Sequence, residues 1–466
     1  MDLHLPNSIF LTDGRDTYTY ADLFGFAHGL KRYLQQEPPN VLIPGIPDPG
    51  VILTIAACYL LNQPVLIFRP DNPESVKIYA SEGSLLIHPN STVFRDDELM
   101  KQLQAITPGD IKQSRENTPP ARLNNLQRAI LTLFTSGTTG QPKPVYITRN
   151  QLESAVANAA RNFRPASDEM WLLCLPLFHM GGLGVIYRSL SYGSGIYSTG
   201  EFNAERCANT LNSDAGVRYA SLVPTQLRRM LALIKPDKHH LKAVLVGGGP
   251  ISATLLEQAK VKNVPAIGSY GMTETCGQIF AQPLNSKYAV PSGSAGRIFH
   301  GNRVQIRALD DETVLPAGQT GGIFLKGNQI PDPLLNPQLC DRYDSDGWFA
   351  TADMGHLDAN GNLYVDGRRD DVILTGGENV IPNQVEEVLA QFDSLGEVAI
   401  TGLPDDEWGQ RVVAVYTGKL PDKSILEQHI RLQLPAYALP KEWIKVDTIP
   451  KNDMGKVERK KLRLLI

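Results

Sequence analysis

The stretch AILTLFTSGTTGQPKPVYIT, residues 129–148, places a loop rich in glycine and hydroxyl groups between two short apolar runs. The runs, Ala129–Phe134 and Val145–Thr148, have the length and side-chain content of buried strands. The glycines allow a tight turn that exposes backbone N–H groups, and the hydroxyls and Lys143 add donors. Such donor clusters bind phosphate oxygens, although composition alone also allows a plain polar hairpin loop. The stretch therefore predicts a phosphate-binding loop between strands.

Similar short apolar runs recur along the chain, each followed by a helical pattern. They include Met170–Leu175, Tyr219–Val223 and Leu241–Val246. This alternation is typical of an α/β fold with helical crossovers. Between residues 302 and 326 the pattern changes to short strands separated by turns, as in Val304–Ile306 and Gly322–Leu325. We expect a large N-terminal domain of α/β sheet subdomains plus a small β-rich subdomain.

A charged segment, Arg368-Arg369-Asp370-Asp371, separates this part from a new strand–helix pattern. Pro382 stands where a helix can begin, because proline is tolerated in the first helical turn. About 95 residues remain after the charged segment, enough for a separate α+β lobe. We therefore predict an N-terminal domain at residues 1–369, a smaller α+β C-terminal domain at 370–466, and a hinge at Asp370.

Bulk composition limits the classes of partner and compartment. The net charge of −4 does not suggest a nucleic-acid partner. The five cysteines are scattered without a CxxC pair, which is typical of reduced proteins. The apolar run Val51–Leu61 is shorter than the roughly 20 residues that cross a bilayer, and no signal peptide is visible. The composition predicts a cytoplasmic protein without membrane or nucleic-acid partners and leaves a homo-oligomer possible.

The motif Ser-Gly-Thr-Thr-Gly-x-Pro-Lys resembles the phosphate-binding loop of the adenylate-forming superfamily, which includes acyl-CoA synthetases, peptide-synthetase adenylation domains and luciferases. The resemblance covers almost the whole chain. It implies that ATP phosphates contact Ser136, Gly137, Thr138, Thr139, Gly140 and Lys143. One departure is Pro144, where the family usually has glycine. Because proline restricts the preceding residue, we expect an extended, stiff backbone at Lys143.

The apolar run Val264–Ile267 is predicted to form a strand. A second matching segment follows it and extends from Tyr270 to Glu274 as Tyr-Gly-Met-Thr-Glu. By resemblance, the Tyr270 ring stacks on adenine, Thr273 contacts the α-phosphate and Glu274 binds Mg²⁺. A flat ring suits a purine face, and a carboxylate oxygen suits this hard cation. Alone, the pentapeptide would favour a turn with a surface glutamate, but the other matching segments favour the nucleotide-binding interpretation.

Gly248 and Gly249, in a run of three glycines, resemble the family's adenine-side loop, where a base can approach the backbone. Asp353 ends a segment, Gly347–Asp353, similar to the one whose aspartate accepts both ribose hydroxyls. Arg368 matches an arginine that faces ribose and phosphate. As a bare charge run, its segment would be a solvated turn.

Lys456, after Gly455, matches the lysine that enters the active site during adenylation. The alternative is a basic tail, since basic residues are frequent between Lys451 and Arg463. The family then rotates a mobile C-terminal domain about the hinge. This removes the lysine and opens a tunnel for pantetheine, expected near residues 376–378.

These residues imply a two-step reaction that uses ATP, Mg²⁺ and coenzyme A. A substrate carboxylate, ionised at pH 7 and in no need of a general base, attacks the α-phosphate and releases pyrophosphate. The main obstacle is repulsion between anions, so cations and preorganised donors should supply catalysis. We expect the catalytic residues to be Lys456, Glu274, Thr273 and His179.

The acid itself is indicated by His179 and Arg188. His179 lies in Pro176–Leu183, which resembles the acyl-pocket segment, and could line the pocket, gate it or be structural. Arg188 follows nine residues later in an apolar helical pattern, where a guanidinium needs an anion, a carboxylate partner or a path to solvent. We also expect Thr225 and Gly248 near the acid.

The spacing of His179 and Arg188, with the 222–227 segment before the glycines, resembles the o-succinylbenzoate–CoA ligases of menaquinone biosynthesis. In that interpretation Arg188 binds the ring carboxylate while the succinyl carboxylate is activated. Alternatives are an adenylation enzyme that loads another aryl or medium-chain acid onto a carrier-protein thiol, and a non-catalytic nucleotide-binding protein with the same fold.

Overall fold

The computed structural model describes residues 6–34, 41–71, 85–87, 103–105, 129–136, 142–249, 251–284, 293–452 and 455–466. The helices are α1 (Tyr20–Tyr33), α2 (Pro49–Leu60), α3 (Arg149–Ala160), α4 (Met180–Tyr192), α5 (Ala204–Leu211), α6 (Pro224–Leu231), α7 (Ala253–Val261), α8 (Pro382–Leu389), α9 (Lys423–Arg431) and α10 (Arg459–Arg463).

The strands before the β-rich part are β1 (Ile9–Thr12), β2 (Thr17–Thr19), β3 (Val41–Pro44), β4 (Val65–Phe68), β5 (Leu85–Ile87), β6 (Leu103–Ala105), β7 (Leu131–Ser136), β8 (Pro142–Ile147), β9 (Met170–Leu173), β10 (Gly195–Ser198), β11 (Val217–Leu222), β12 (Ala243–Val246), β13 (Ala266–Met272), β14 (Gly277–Ala281) and β15 (Arg297–Ile298). The later strands are β16 (Asn302–Arg307), β17 (Gly321–Gly327), β18 (Phe349–Leu357), β19 (Leu363–Arg368), β20 (Ile373–Thr375), β21 (Glu378–Val380), β22 (Val398–Asp405), β23 (Gly409–Tyr416) and β24 (Glu442–Lys445).

Two sheets form the body of the N-terminal domain. The first has the order β15-β14-β13-β12-β11-β9-β10-β1-β2, and its strands β9 to β13 are mutually parallel neighbours. Helices α4 to α7 connect successive members of this parallel set. The second sheet has the order β6-β5-β3-β4-β7-β8. The predicted α/β class, with helical crossovers, is confirmed.

The largest core lies between these sheets and is filled by helix side chains. Leu23 of α1, Ile52 of α2 and Leu183 of α4 are fully buried there against strand residues such as Leu131. Helix α2 has an apolar composition all round, which suits its position inside this core. No helix within the described ranges is both long enough and apolar enough to cross a bilayer.

The predicted small β-rich subdomain is an antiparallel sheet in the order β16-β17-β18-β19. After it come a short 3₁₀ turn, Arg369–Asp371, and the C-terminal domain. That domain has a sheet in the order β21-β20-β23-β22, with β24 parallel to β23, and its own core around Val385, Ile400 and Val412. Pro382 occupies the first turn of α8, as the sequence predicted.

One strand differs from its predicted extent in a way that matters for the site. The apolar pattern predicted a strand at Val264–Ile267, but β13 continues to Met272. Gly268 and Gly271 interrupt the apolar pattern, whereas pairing with β14 maintains the strand, with Tyr270 opposite Phe280. Tyr270, Gly271 and Met272 therefore lie within a strand rather than in a loop after it.

Candidate active site

Tyr270 and Asp353 meet where β13 approaches β18. The Tyr270 hydroxyl donates a hydrogen bond of 2.7 Å to Asp353 Oδ2. Burial, together with the negative charge of Asp353, raises the pKa of Tyr270 well above its ordinary value of 10, so the phenol remains a donor. Tyr270 is thus fixed at its hydroxyl end. Its ring lies beside a carboxylate that can accept further hydroxyl donors.

Arg368 lies next to the same carboxylate. It is the cross-strand partner of Asp353 in the β18–β19 pair, and its Nε is 4.0 Å from Asp353 Oδ1. About half of the Arg368 side chain is exposed, so this is a weak, solvated ion pair. Three residues predicted from separate motifs, Tyr270, Asp353 and Arg368, therefore lie together.

Glu274 stands in the 3₁₀ turn Thr273–Thr275, immediately after β13. Its Oε1 lies 2.9 Å from Arg342 Nη1. Arg342 is fixed in turn, because its Nε donates to the Ala350 carbonyl at 2.8 Å and its guanidinium lies 4.3 Å from the Phe349 ring centroid. The sequence interpretation missed Arg342, and no local motif connects it with Glu274.

The chemistry of Glu274 fits the predicted Mg²⁺. Within the ranges that the structure describes, no cluster of three or more histidine, cysteine or acidic side chains could hold a metal ion. Mg²⁺ is commonly bound by one or two carboxylates, with phosphate oxygens and water completing its shell. Glu274 is suited to that arrangement, and it can exchange its contact with Arg342 for one with a cation.

Lys456 reaches this cluster from the C-terminal domain. The Lys456 backbone N–H donates to Asn452 Oδ1 at 3.0 Å within a tight turn closed by the Lys451–Val457 bridge. Its side chain is partly open to solvent, but nearby protein atoms lower the pKa of its ammonium by desolvation. The carboxylates of Asp353 and Glu274 oppose that shift, and Arg368 adds to it. The charges of all three groups therefore influence this ammonium.

Gly455 makes this approach possible. Its φ is +72°, and a Cβ built on it would lie 2.7 Å from Thr225 Oγ1, at the start of α6. Any side chain here would combine left-handed strain with a steric clash. Thr225 therefore marks the place where the C-terminal turn touches the N-terminal domain.

The run of three glycines lies beside this contact. A Cβ on Gly247 would lie 2.7 Å from Ser269 Oγ and force that side chain to shift, and a Cβ on Gly249 would lie 3.7 Å from the Pro224 ring. Gly248 has a φ of +78°. The loop is thus packed between β13 and the first turn of α6, near Thr225, and its contact with adenine stays a prediction.

The predicted phosphate loop is described only at its two ends. Gly137, Thr138, Thr139, Gly140 and Gln141 lie outside the described residues. Ser136 is the last residue of β7 and lies opposite Pro142. Lys143, an exposed residue of β8, pairs with Thr135 of β7. Pro144 continues the strand and accepts a 2.6 Å hydrogen bond from Gln338 Nε2, so the extended backbone expected at Lys143 is confirmed. Strand β8 lies against the turn that contains Glu274.

A cavity between α3, α4 and β14 forms the candidate acid pocket. Its lining is mostly apolar, with two polar side chains. It consists of Leu152, Ala155, Val156, Ala159, Met180, Gly184, Arg188, Cys276 and Gln278. Among the described residues this lining does not include Thr225 or His179. His179 immediately precedes α4, and its ring lies 4.7 Å from that of Phe178. Its neighbour Met180 is the first residue of the helix to face the pocket.

Arg188 is buried in this cavity, with 7% of its surface exposed. Its Nη2 makes a long contact of 3.4 Å with Ser221 Oγ, and its guanidinium lies 4.4 Å from the Trp171 ring centroid. Within the described chain Nε has no hydrogen-bond partner. Burial lowers the pKa of Arg188 to about 10, so the group still bears its charge at pH 7. The sequence left open whether this guanidinium meets an anion, pairs with a protein carboxylate or reaches solvent. The structure shows it buried, and the described residues give it no carboxylate partner.

A buried amide network connects the pocket with the turn that contains Glu274. Gln329 is fully buried, and its Nε2 donates to the carbonyls of Thr275 at 3.2 Å and Gln278 at 3.0 Å. Its Oε1 accepts from Asn158 Nδ2 at 2.9 Å and Asn302 Nδ2 at 3.1 Å. One carboxamide thus fixes the backbone on both sides of Cys276. Sequence reasoning missed this residue as well.

The two-domain fold and the grouping of Tyr270, Asp353 and Glu274, with the Lys456 ammonium influenced by their charges, fit a nucleotide-binding enzyme. Family comparison agrees: residues 4–331 match the model for AMP-binding enzymes, and residues 384–456 match the model for their C-terminal domain. The chain belongs to the AMP-binding enzyme family. Its predicted place in the adenylate-forming superfamily is confirmed.

Individual relatives point to one group within that family. The chain is 33% identical over 421 residues to a 2-succinylbenzoate–CoA ligase from Bacillus licheniformis, covering 88% of this chain and 86% of the relative. A 2-succinylbenzoate–CoA ligase from Listeria monocytogenes is 37% identical over 343 residues, covering 73% and 70%. The solved o-succinylbenzoate CoA synthetase from Bacillus subtilis, in complex with its acyl-adenylate intermediate, has a TM-score of 0.80 at 26% identity, covering 98% of this chain and 96% of that one.

Proposed function

We propose that this protein is an ATP-dependent, AMP-forming acid–CoA ligase that activates 2-succinylbenzoate as an acyl-adenylate. The acyl group then passes to coenzyme A, in a step of menaquinone biosynthesis. The similarity to 2-succinylbenzoate–CoA ligases over most of both chains supports this function. The observation on which the choice of acid depends is Arg188, a buried cation in an apolar cavity, for which the described residues supply no carboxylate.

The acid has two carboxylates, one on the aromatic ring and one at the end of the succinyl chain. Arg188 binds the ring carboxylate, because a guanidinium and a carboxylate pair through two parallel hydrogen bonds and so offset the cost of burying both charges. The cavity measures about 10 Å³ in the ligand-free chain, so its walls must separate to admit the ring, which would then contact the apolar side chains of Leu152 and Val156. The succinyl carboxylate is then left free to approach the nucleotide, with His179 and Thr225 at the borders of the acid site.

Activation requires that two anions meet. The succinyl carboxylate attacks the α-phosphate, and the ammonium of Lys456 stabilises the negative charge that spreads over the phosphate oxygens. Thr273 and the loop from Ser136 to Lys143 donate to those oxygens. Glu274 would hold Mg²⁺, which neutralises phosphate charge when bound. Asp353 and Arg368 orient the ribose, while Tyr270 and the glycine loop take the adenine.

Thioester formation uses a second arrangement of the domains. The C-terminal domain, residues 370–466, rotates about Asp370 relative to residues 1–369 and withdraws Lys456. Pantetheine then enters past Gly376 and Gly377. The short turn Arg369–Asp371 is the connection that would absorb this rotation. We also propose that the enzyme acts in the cytoplasm, which is consistent with its five free cysteines.

The proposal is tested with a matched pair of acids. Purified protein, ATP, Mg²⁺ and coenzyme A are incubated with 2-succinylbenzoate or with 4-oxo-4-phenylbutanoate, which lacks only the ring carboxylate, and AMP and thioester are measured. We expect kcat/KM to be higher for the diacid by about 10²-fold or more, the scale of a buried charge pair. Arg188→Met should abolish the preference, and Arg188→Lys should retain part of it.

Two results would refute this function. If wild-type protein produces no AMP with either acid, the assigned substrate is wrong, and a panel of other aryl and medium-chain acids then distinguishes a different ligase from a binding protein. If it prefers the monoacid, the assigned substrate is wrong. Replacing coenzyme A by a carrier protein with a phosphopantetheine arm tests the remaining alternative, since a carrier-loading enzyme would acylate that arm faster than free coenzyme A.

A further inference from the structure

Gln278 has a side chain that the mechanism above does not use. It lies on β14, and its backbone carbonyl is fixed by Gln329. Both its side-chain nitrogen and its side-chain oxygen are shielded from solvent, and neither has a hydrogen-bond partner in the described part of the chain. Buried amides are normally paired, because an unpaired buried group weakens the fold. The position of this amide therefore calls for an explanation.

Gln278 lines the same cavity as Arg188, whose Nε also has no hydrogen-bond partner among the described residues. The two side chains come from different elements, Gln278 from β14 and Arg188 from α4. The neighbouring lining residues Leu152, Met180 and Cys276 offer no strong acceptor. An anion entering the cavity would meet donors from both sides.

We propose that Gln278 is a specificity-determining residue that donates from Nε2 to the ring carboxylate bound by Arg188. This inference rests on the proposed function. A carboxylate has about four acceptor positions, so a guanidinium that takes two leaves room for an amide N–H. The amide turns Nε2 toward the anion because Oε1 would repel it. One bound carboxylate would then accept hydrogen bonds from both Arg188 and Gln278, two side chains with unpaired polar atoms in the described chain.

The test compares Gln278→Leu with wild type on three acids: 2-succinylbenzoate, 4-oxo-4-phenylbutanoate and 4-phenylbutanoate. The second lacks the ring carboxylate, and the third lacks the ketone as well. Leucine has a similar volume but no polar atoms. We expect kcat/KM for the diacid to fall about 10- to 100-fold, the scale of a hydrogen bond to a charged group. The values for the two monoacids should fall less than the value for the diacid, because both lack the carboxylate that the amide would contact.

Gln278→Glu is the matched charge variant. It retains the shape of the side chain but presents an acceptor to the anion, so its loss with the diacid should exceed that of Gln278→Leu, with no greater loss for the monoacids. Thermal unfolding of both variants shows whether the fold is intact. Because Gln278→Leu removes an unpaired amide, we expect it to unfold no earlier than wild type.

Three outcomes would overturn the inference. An equal fall with all three acids would indicate a structural role. A fall with both keto acids but not with 4-phenylbutanoate would move the contact to the ketone. Unchanged kinetics on the diacid would remove Gln278 from recognition altogether. In each case a wild-type preference for the diacid keeps the proposed function intact, whereas loss of that preference in wild type would refute the proposed function instead.

Discussion

The nucleotide side and the acid pocket differ in how their polar side chains are paired. On the nucleotide side, Tyr270 bonds to Asp353, and Glu274 bonds to Arg342. In the acid pocket, Arg188 Nε and the amide of Gln278 have no partner within the described residues. The first region is held in shape by the protein itself, and the second is completed by its ligand. Substitutions on the nucleotide side should therefore affect all acids alike, and those in the pocket should depend on the acid.

The largest effect is expected for Lys456→Ala. It should slow adenylation by about 10²–10³-fold, because a preorganised cation is lost where charge develops. The loss should be the same for diacid and monoacid, as measured by pyrophosphate release. Thioester formation from a supplied acyl-adenylate should be spared. Lys460→Ala, at an exposed lysine in the same segment, is the control and should leave both half-reactions unchanged. Equal losses in the two half-reactions would contradict the assignment.

A second prediction concerns pH. Desolvation lowers the pKa of Lys456 below its ordinary value of 10.5, and the protonated form is the active one. As pH rises through that lowered pKa, kcat/KM for ATP in adenylation should fall tenfold per pH unit. The fall should therefore begin at a lower pH than for an unperturbed lysine, and it should be absent from thioester formation. If the rate of thioester formation falls over the same alkaline pH range, a group other than Lys456 is responsible.

The smallest expected effects are on stability. Two variants, one on the nucleotide side and one in the acid pocket, should change the free energy of unfolding in opposite directions. Tyr270→Phe removes a donor from Asp353 and should lower the free energy of unfolding by about 1–3 kcal/mol. Arg188→Met removes a buried cation without a carboxylate partner and should raise it by about 1 kcal/mol or more. Calorimetry without ligand measures both shifts. If Arg188→Met unfolds earlier than wild type, the contacts with Ser221 and Trp171 already compensate the charge, and the contrast between the regions fails.

Much of the fold could be predicted because its signals are local. Strand β4 coincides with the apolar run Val65–Phe68, and α8 begins at Pro382, as its chemistry favours. The motif residues Tyr270, Asp353 and Lys456 were also found from sequence, because each stands in a short pattern that resembles a known family. That these residues lie close together depends on the tertiary fold. The sequence patterns predicted it only because they resemble a family in which the matching residues share one site.

What sequence could not provide depends on packing between distant segments. Arg342 pairs with Glu274 across 68 residues, and no periodicity connects them. The unpaired state of Gln278 becomes visible only when α3, α4 and β14 surround it. Strand β13 extends beyond its predicted end because β14 pairs with it, and that pairing outweighs the low strand propensity of its glycines. Each of these features belongs to tertiary contacts rather than to local propensity.

The single carboxamide of Gln329 has a consequence for how such an enzyme can diversify. It fixes the carbonyl that follows Glu274 and the carbonyl of Gln278 together, so the turn that contains Glu274 and one wall of the pocket form one mechanical unit. Remodelling that wall for a new substrate would disturb the turn at the same time. Helix α4 contributes Met180, Gly184 and Arg188 to the pocket from outside this unit. New acid preferences should therefore evolve through substitutions in α4, because these can alter substrate specificity without displacing the turn that contains Glu274.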